Sequence, residues 1–298
     1  MSYELSRKQY ETLVSMVGNR EPLSLQQWRE RTGFPENEMK LLVDELTVKK
    51  MVNGGLITDI GLQALEPYRV KRAIFMAAGF GSRLVPITLN TPKPLVRVHG
   101  KRLIDGLIDA CLEAGITEIY IVRGYLGEQF DQLLYKYPMI QFIDNPLYDK
   151  ANNISSVLCV KSLLSNAYVF EADLLISNPE IITPYHFQSD FLAIQKDKTE
   201  DWCFEVQDGM IKEEKIGGSD CWQMVGISYW NEEDGRRLSA DIQDIYEREG
   251  GKQAYWEQVP LVFCKEHYCV EVRECFEKDI VEIDTFDELK AIDKTYDV

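Results

Sequence analysis

The chain is poor in histidine and has no long apolar run. Its three histidines, His99, His186 and His267, are scattered, so no histidine cluster for metal binding or catalysis is expected. No apolar stretch approaches the ~18 residues needed to cross a bilayer. The opening Met1-Ser2-Tyr3-Glu4-Leu5-Ser6-Arg7-Lys8 has no apolar signal core. No membrane insertion or secretion is expected, and the reading is a cytoplasmic protein. The seven cysteines are an odd number without a CxxC pair. That argues against a disulfide framework or a structural zinc site and leaves them as small core residues in a reducing compartment. Internal repeats and low-complexity segments are absent.

An excess of basic charge is also lacking. The net charge of −16 over 298 residues excludes a general nucleic-acid surface, which needs clustered Lys and Arg. Apolar residues make up 45% and charged residues 28%, the composition of a globular chain of one large or two modest domains. One segment departs from the average. Between Pro67 and Ile104 stand Arg69, Lys71, Arg72, Arg83, Lys93, Arg97, Lys101 and Arg102, with no acidic residue among them. An acidic protein with one basic segment is expected to handle a small anion there.

Residues 1–68 read as a small helical unit. Helices are predicted over Arg7–Met16, Leu25–Arg31 behind the cap Ser24, and Glu36–Val48, where Met39, Leu42, Val43 and Leu46 share one face. Asn53-Gly54-Gly55 between apolar residues is a hairpin signal, and Thr58-Asp59 caps a short helix to Leu65. This order resembles a winged helix. DNA binding is not expected, because the third helix carries Glu36, Glu38, Asp44 and Glu45 against Lys40 and Lys49. A protein-contact or regulatory module fits better, with a partner that the sequence leaves open.

Residues 69–298 alternate strand and helix. Strands are expected at Arg72–Ala77, Glu118–Val122, Ile140–Ile143 and Tyr168–Ile176, with helices at Leu103–Ala114, Glu128–Tyr135 and Ile154–Leu164. This βαβ rhythm predicts an α/β domain with a mainly parallel sheet covered on both faces. Four shorter strands follow, at Phe191–Gln195, Trp202–Gln207, Met210–Glu214 and Met224–Tyr229, with Asp208-Gly209 in one turn. Helices are predicted over Leu238–Glu249 and Trp256–Cys264, then a strand at Cys269–Arg273 and a last helix after Asp284.

The first strand runs into Ala77-Ala78-Gly79-Phe80-Gly81-Ser82-Arg83. Glycines let backbone N–H groups approach phosphate oxygens at the sheet's carboxyl edge. Leu84 excludes the dinucleotide fingerprint, and no Gly-Lys-Ser/Thr follows as in a Walker A loop. Met76 to Leu84, then Pro86, then Thr91-Pro92-Lys93-Pro94-Leu95 resembles the signature of nucleotidyltransferases that activate phosphorylated small molecules. The resemblance implies a Rossmann-like nucleotidyltransferase domain. It implies that the loop wraps a nucleoside triphosphate, with Ala77, Ala78, Gly79, Gly81, Ser82 and Arg83 as nucleotide-binding residues. It also implies that Arg83 neutralises the β- and γ-phosphates and that Lys93 contacts the α-phosphate and the attacking phosphate. Fixed cations aimed at oxygens that gain charge are the largest available rate term.

Glu171-Ala172-Asp173 follows an apolar strand, and Val281-Glu282-Ile283-Asp284 repeats the arrangement near the C-terminus. The resemblance implies that Asp173 and Asp284 hold Mg²⁺. Residue types alone also allow a strand-end turn at Asp173 and a helix cap at Asp284, since Thr285 and Glu288 have capping-box spacing. Glu171 is expected to face away from the metal.

Within these enzymes the sequence is similar to the bacterial CTP:phosphocholine cytidylyltransferases over most of residues 71–298. The matching pieces include Gly124-Tyr125-Leu126, Asn152-Asn153, Trp202, Tyr255-Trp256-Glu257 and Glu282-Ile283-Asp284. The resemblance implies CTP and phosphocholine as substrates, with CDP-choline and pyrophosphate as products, and Tyr125 and Asn152 as nucleotide contacts. A quaternary ammonium is held by aromatic faces and a nearby carboxylate; Trp202, Tyr255 and Glu257 are the expected acceptor site, with Trp256 a core residue. Ile154-Ser155-Ser156 and Glu257 depart from the pattern beside the expected acceptor pocket. That keeps phosphoethanolamine and 2-aminoethylphosphonate open as acceptors. Outside this group stand two other readings: a sugar-1-phosphate nucleotidyltransferase, and a winged-helix regulator with a nucleotide-sensing domain.

Overall fold

A computed structural model describes residues 4–297. The chain forms two compact units, one running to Arg69 with Tyr185–Phe187, the other comprising Val70–Pro184 and the chain from Gln188 onward.

The first unit contains α1 (Arg7–Met16), α2 (Leu25–Thr32), α3 (Glu36–Val48), the hairpin β1 (Val52–Asn53) and β2 (Leu56–Ile57), and α4 (Asp59–Leu65). Ser6 and Ser24 form capping boxes with Gln9 and Gln27, and Thr58 caps α4. Gly54 and Gly55 both take positive φ, 56° and 79°, the requirement of a two-residue hairpin turn that matches strand twist. Leu13, Met16, Leu46, Met51 and Leu65 form the core. On α3 the buried stripe is Met39, Leu42 and Leu46, while Val43 is only half-buried. Its carboxylates are partly neutralised: Glu36 pairs with Lys40, and Glu38 with Lys8.

The second unit starts with β3 (Arg72–Ala77), a small hairpin of β4 (Arg97–Val98) and β5 (Lys101–Arg102), α5 (Leu103–Glu113), β6 (Glu118–Arg123), β7 (Gln141–Asp144), α6 (Ile154–Cys159) and β8 (Ala167–Glu171). It continues with β9 (Leu174–Ile176), β10 (Asp190–Gln207), β11 (Met210–Trp230), α7 (Glu232–Glu247), β12 (Glu271–Glu274), β13 (Ile280–Glu282) and α8 (Phe286–Ile292). β7, β6, β3 and β8 lie side by side in parallel; β11 joins β8 antiparallel, and β12 pairs in parallel with the start of β10. Successive side chains of a strand point to opposite faces, and β3 sends Phe75 into one apolar layer and Ile74 into the other. Helix α5 covers the first layer with Leu107 and Ile108; α6 and α7 cover the second with Val157, Leu238 and Ile242.

Four stretches differ from the sequence expectation. Residues 168–176 are not one strand: β8 ends at Glu171, and β9 leaves the sheet to pair antiparallel with β13, Leu174 opposite Glu282. Val281 and its neighbours supply a second set of ladder partners, and this bends the chain at Ala172-Asp173. The four short strands after residue 190 are two long ones, β10 and β11, joined at Asp208-Gly209, both with positive φ. Their polar middle stretches read as loops, yet a two-stranded ribbon meets its hydrogen bonds within itself and does not need a buried face. The ribbon bends so that Cys203 lies opposite both Lys215 and Gln223. Finally, residues 127–135 form 3₁₀ turns, and the helix expected at Trp256–Cys264 is a single π-turn, Val259–Phe263. Of the cysteines, Cys159 and Cys269 are exposed and the others are buried, so two of the seven are not core residues.

Candidate active site

The loop after β3 is the first wall of a cleft. Gly81 sits at φ 66°, and a Cβ there would lie 3.0 Å from Lys93 Cβ and 3.2 Å from Thr88 Cγ2. Glycine is needed both for the left-handed conformation and for the close approach of the proline-flanked Lys93. Lys93 is buried, and its Nζ lies 2.7 Å from Asp173 Oδ2 and 2.8 Å from Asp284 Oδ1. Burial alone would lower its pKa; the two carboxylates outweigh it and hold the ammonium above its ordinary value. Arg83 reaches the other oxygen of Asp284, Nη1 to Oδ2 2.7 Å, with a largely exposed side chain.

Of the rest of the basic segment, Arg72 pairs with Glu118 and Arg102 with Asp105. Only Arg83 and Lys93 of the eight line the cleft, so the positive charge facing it is two residues and not the whole segment.

The chain break after β8 and the short strand β13 bring the distant aspartates together. Ile283 N–H donates to the Asp173 carbonyl at 3.2 Å, and Asp173, Glu282 and Asp284 offer carboxylate oxygens within 4.8 Å of one another. Thr285 and Glu288 do form the capping box of α8, which leaves the Asp284 side chain to the cleft. Asp173 Oδ1 is buried without a hydrogen-bond partner. An orphaned carboxylate oxygen among three acids is a donor set of the kind a hard divalent cation takes. Glu282 is a member of this cluster that the sequence reading did not name as a ligand. Glu282 is exposed at its rim, yet loss of solvent around its carboxyl, with the charges of Asp173 and Asp284, pushes its pKa up to about 8. Its signal was strand periodicity: Glu282 and Asp284 are two apart.

Glu171 lines the cleft together with Asp173 but is not among the three clustered acids.

Two halves of the cleft share Arg83, Asn153, Glu171, Asp173, Tyr255 and Asp284. The first half is lined by Ala77, Ala78, Gly79, Gly81, Ser82, Lys93 and Asn152. Asn152 faces it with Nδ2 donating to the Gln253 carbonyl at 3.1 Å. Ser155 and Ser156 also lie on this side, each accepting from Asn145 Nδ2, and not beside the acceptor residues as expected. Tyr125 lines neither half. Its hydroxyl donates to the carbonyls of Thr88 and Leu89, and its ring packs edge-on against Phe80.

The second half gathers Trp202, Tyr255 and Glu257. The bend in the ribbon carries Trp202 to Tyr255, ring centroids 5.5 Å apart and edge-on. Glu257 is 4% exposed and accepts from Asn153 Nδ2. Burial raises its pKa and that of Glu171, and the neighbouring Glu257 charge raises Glu171 further. Glu214 was not foreseen. It stands in a stretch that reads as a solvated strand, Lys212-Glu213-Glu214-Lys215, where the fold of the ribbon half-buries it. Burial first, then Glu257, pushes its pKa up to about 8, and its Oε2 is buried without a partner. Trp256 packs against Phe191 and Trp230 in the core, as expected.

A family model described as Nucleotidyl transferase matches residues 72–201. A 2-aminoethylphosphonate cytidylyltransferase of Lancefieldella rimae is 37% identical over 228 residues, covering 75% of this chain and 92% of the relative. The chain belongs to the nucleotidyltransferase family. A choline-phosphate cytidylyltransferase of Streptococcus pneumoniae is 32% identical over 75% of this chain and 97% of its own length. The solved CTP:phosphocholine cytidylyltransferase of that organism has a TM-score of 0.70 at 31% identity, covering 76% of this chain and 99% of its own. An inositol-1-phosphate CTP transferase from T. maritima, TM-score 0.61 at 16% identity over 77% of this chain and 95% of its own, shares the nucleotidyltransferase fold alone. Among the described residues, no helix is long and apolar enough to cross a membrane.

Proposed function

We propose that this nucleotidyltransferase transfers CMP from CTP to 2-aminoethylphosphonate. The observation that carries the choice of acceptor is the buried, unpartnered Glu214 Oε2 beside Glu257 and Glu171. A primary ammonium brings three N–H donors and needs oxygen acceptors; a quaternary ammonium brings none and is held by aromatic faces. The acceptor half has two aromatic rings and several acids. The relative at 37% identity acts on this phosphonate, which supports the same reading. Phosphocholine remains a second reading, favoured by the Trp202–Tyr255 pair.

The phosphonate oxygen attacks the α-phosphorus of CTP. A new P–O bond forms, the bond to the bridging β-oxygen breaks, and pyrophosphate leaves with the electron pair. A phosphonate oxygen is already a nucleophile near neutral pH, so no protein base is required. The loop Ala77–Arg83 binds the triphosphate through backbone N–H groups. Arg83 and Lys93 carry the positive charge that the leaving pyrophosphate needs. Asp173, Glu282 and Asp284 would hold Mg²⁺, which supplies further positive charge to the phosphates when bound. Residues 1–68 are proposed as a separate winged-helix-like module that contacts protein and not DNA, on the strength of the acidic α3.

The test is pyrophosphate release with each of four nucleoside triphosphates against 2-aminoethylphosphonate, phosphoethanolamine, phosphocholine and hexose 1-phosphates. The highest kcat/KM is expected for CTP with 2-aminoethylphosphonate. A preference for phosphocholine would transfer the assignment to the second reading, and turnover of a hexose phosphate alone would reject both.

A further inference from the structure

Away from the cleft, α7 and the turn after Val259–Phe263 bring three chemically different donors together. Asp241 on α7, Cys264 and His267 present a carboxylate oxygen, a thiol sulfur and a ring nitrogen within 4.8 Å of one another. His267 Nδ1 lies 2.9 Å from Asp241 Oδ2, and the Tyr268 hydroxyl donates to the same oxygen at 2.6 Å. We propose that Asp241, Cys264 and His267 form a binding site for a borderline transition-metal ion, Zn²⁺ in the cell, with solvent completing the coordination.

The donor chemistry separates this cluster from the catalytic one. Asp173, Glu282 and Asp284 are all oxygen and suit Mg²⁺; a sulfur, a nitrogen and an oxygen are a zinc set, and three protein ligands with one open position are a known zinc arrangement. An ion pair that merely ties the turn to α7 would need Asp241 and His267 but no thiol between them. The absence of a CxxC pair argued against a structural zinc site in sequence, and this site avoids that argument by drawing only one sulfur. The Tyr268 hydrogen bond orients the Asp241 carboxylate, the usual role of an outer partner at a metal site. His267 is half-exposed while Cys264 is buried, so an ion can enter from solvent and meet the sulfur last. Binding as a thiolate releases one proton: the thiol and Zn²⁺ give zinc thiolate and H⁺, and affinity weakens as pH is lowered.

The test is Co²⁺ titration of the full chain, stripped of metal and then held in excess Mg²⁺ to occupy the oxygen-only cluster. One equivalent of Co²⁺ is expected to produce a near-ultraviolet sulfur-to-cobalt charge-transfer band, which Zn²⁺ abolishes by competition. Cys264→Ser should remove the band. His267→Asn, at a half-exposed position that should not affect folding, should weaken Co²⁺ binding tenfold or more with an unchanged circular dichroism spectrum. No band at one equivalent, a band that survives in C264S, or unchanged affinity in H267N would each overturn the proposal. None of these outcomes depends on whether the enzyme uses CTP or any particular acceptor.

Discussion

The ammonium of Lys93 lies 2.7 Å from the carboxylate of Asp173, although eighty positions separate them in the chain. This pair links the proline-flanked turn that supplies Lys93, packed against the glycine loop, to the strand break that supplies Asp173. In the proposed reaction it sets the charge that would meet phosphate beside the carboxylates that would hold a metal ion.

Lys93→Ala should lower kcat by about two to three orders of magnitude, the loss associated with removing one charge-stabilising donor, roughly 3–4 kcal/mol. The readout is pyrophosphate release, with circular dichroism to verify the fold. A rate equal to that of the wild type would show that Lys93 does not touch the reacting phosphates.

Chelation of divalent ions should abolish turnover, and Mg²⁺ should restore it. Asp173→Asn should raise the Mg²⁺ concentration needed for half-maximal rate, because a neutral amide removes a charge from the three-acid cluster. An unchanged Mg²⁺ dependence in this variant would move the metal elsewhere.

Trp202→Ala should raise the acceptor KM far more than the CTP KM. Trp202 lines only the half of the cleft that lacks the glycine loop. Initial-rate kinetics with each substrate varied in turn will check this; an equal rise in both would mean that the acceptor site is misplaced.

Glu214 predicts a pH dependence. Its folded pKa is raised from 4.5 to about 8, so it is largely protonated at neutral pH. A cationic acceptor favours the ionised form. Acceptor KM should therefore fall as pH rises from 7 to 9, and Glu214→Gln should flatten that profile. For stability the sign is opposite. A raised folded pKa gives a contribution fully present below pH 4.5 and lost as pH rises through about 8. The Tm should fall between about pH 4.5 and 8 and level off above, and less so in E214Q. Parallel Tm curves for the two proteins would show that Glu214 ionises normally.

The local chemistry of the sequence determined a good deal. Ser6, Ser24, Thr58 and Thr285 sit where their helices begin, because capping depends on neighbours three positions away. Gly81, Arg83 and Lys93 were legible because the loop that needs them is continuous in the chain. Tertiary structure alone decided the rest. Arg72 and Arg102, two of the eight basic residues, pair with Glu118 and Asp105 and do not line the cleft. Glu171 and Glu282 joined the acids of the site because β9 leaves the main sheet for β13, a pairing between segments about a hundred residues apart. Glu214 is half-buried because the long ribbon bends over its own base. Periodicity reports which residues share a side of one element, whereas burial of an acid depends on what another element brings over it.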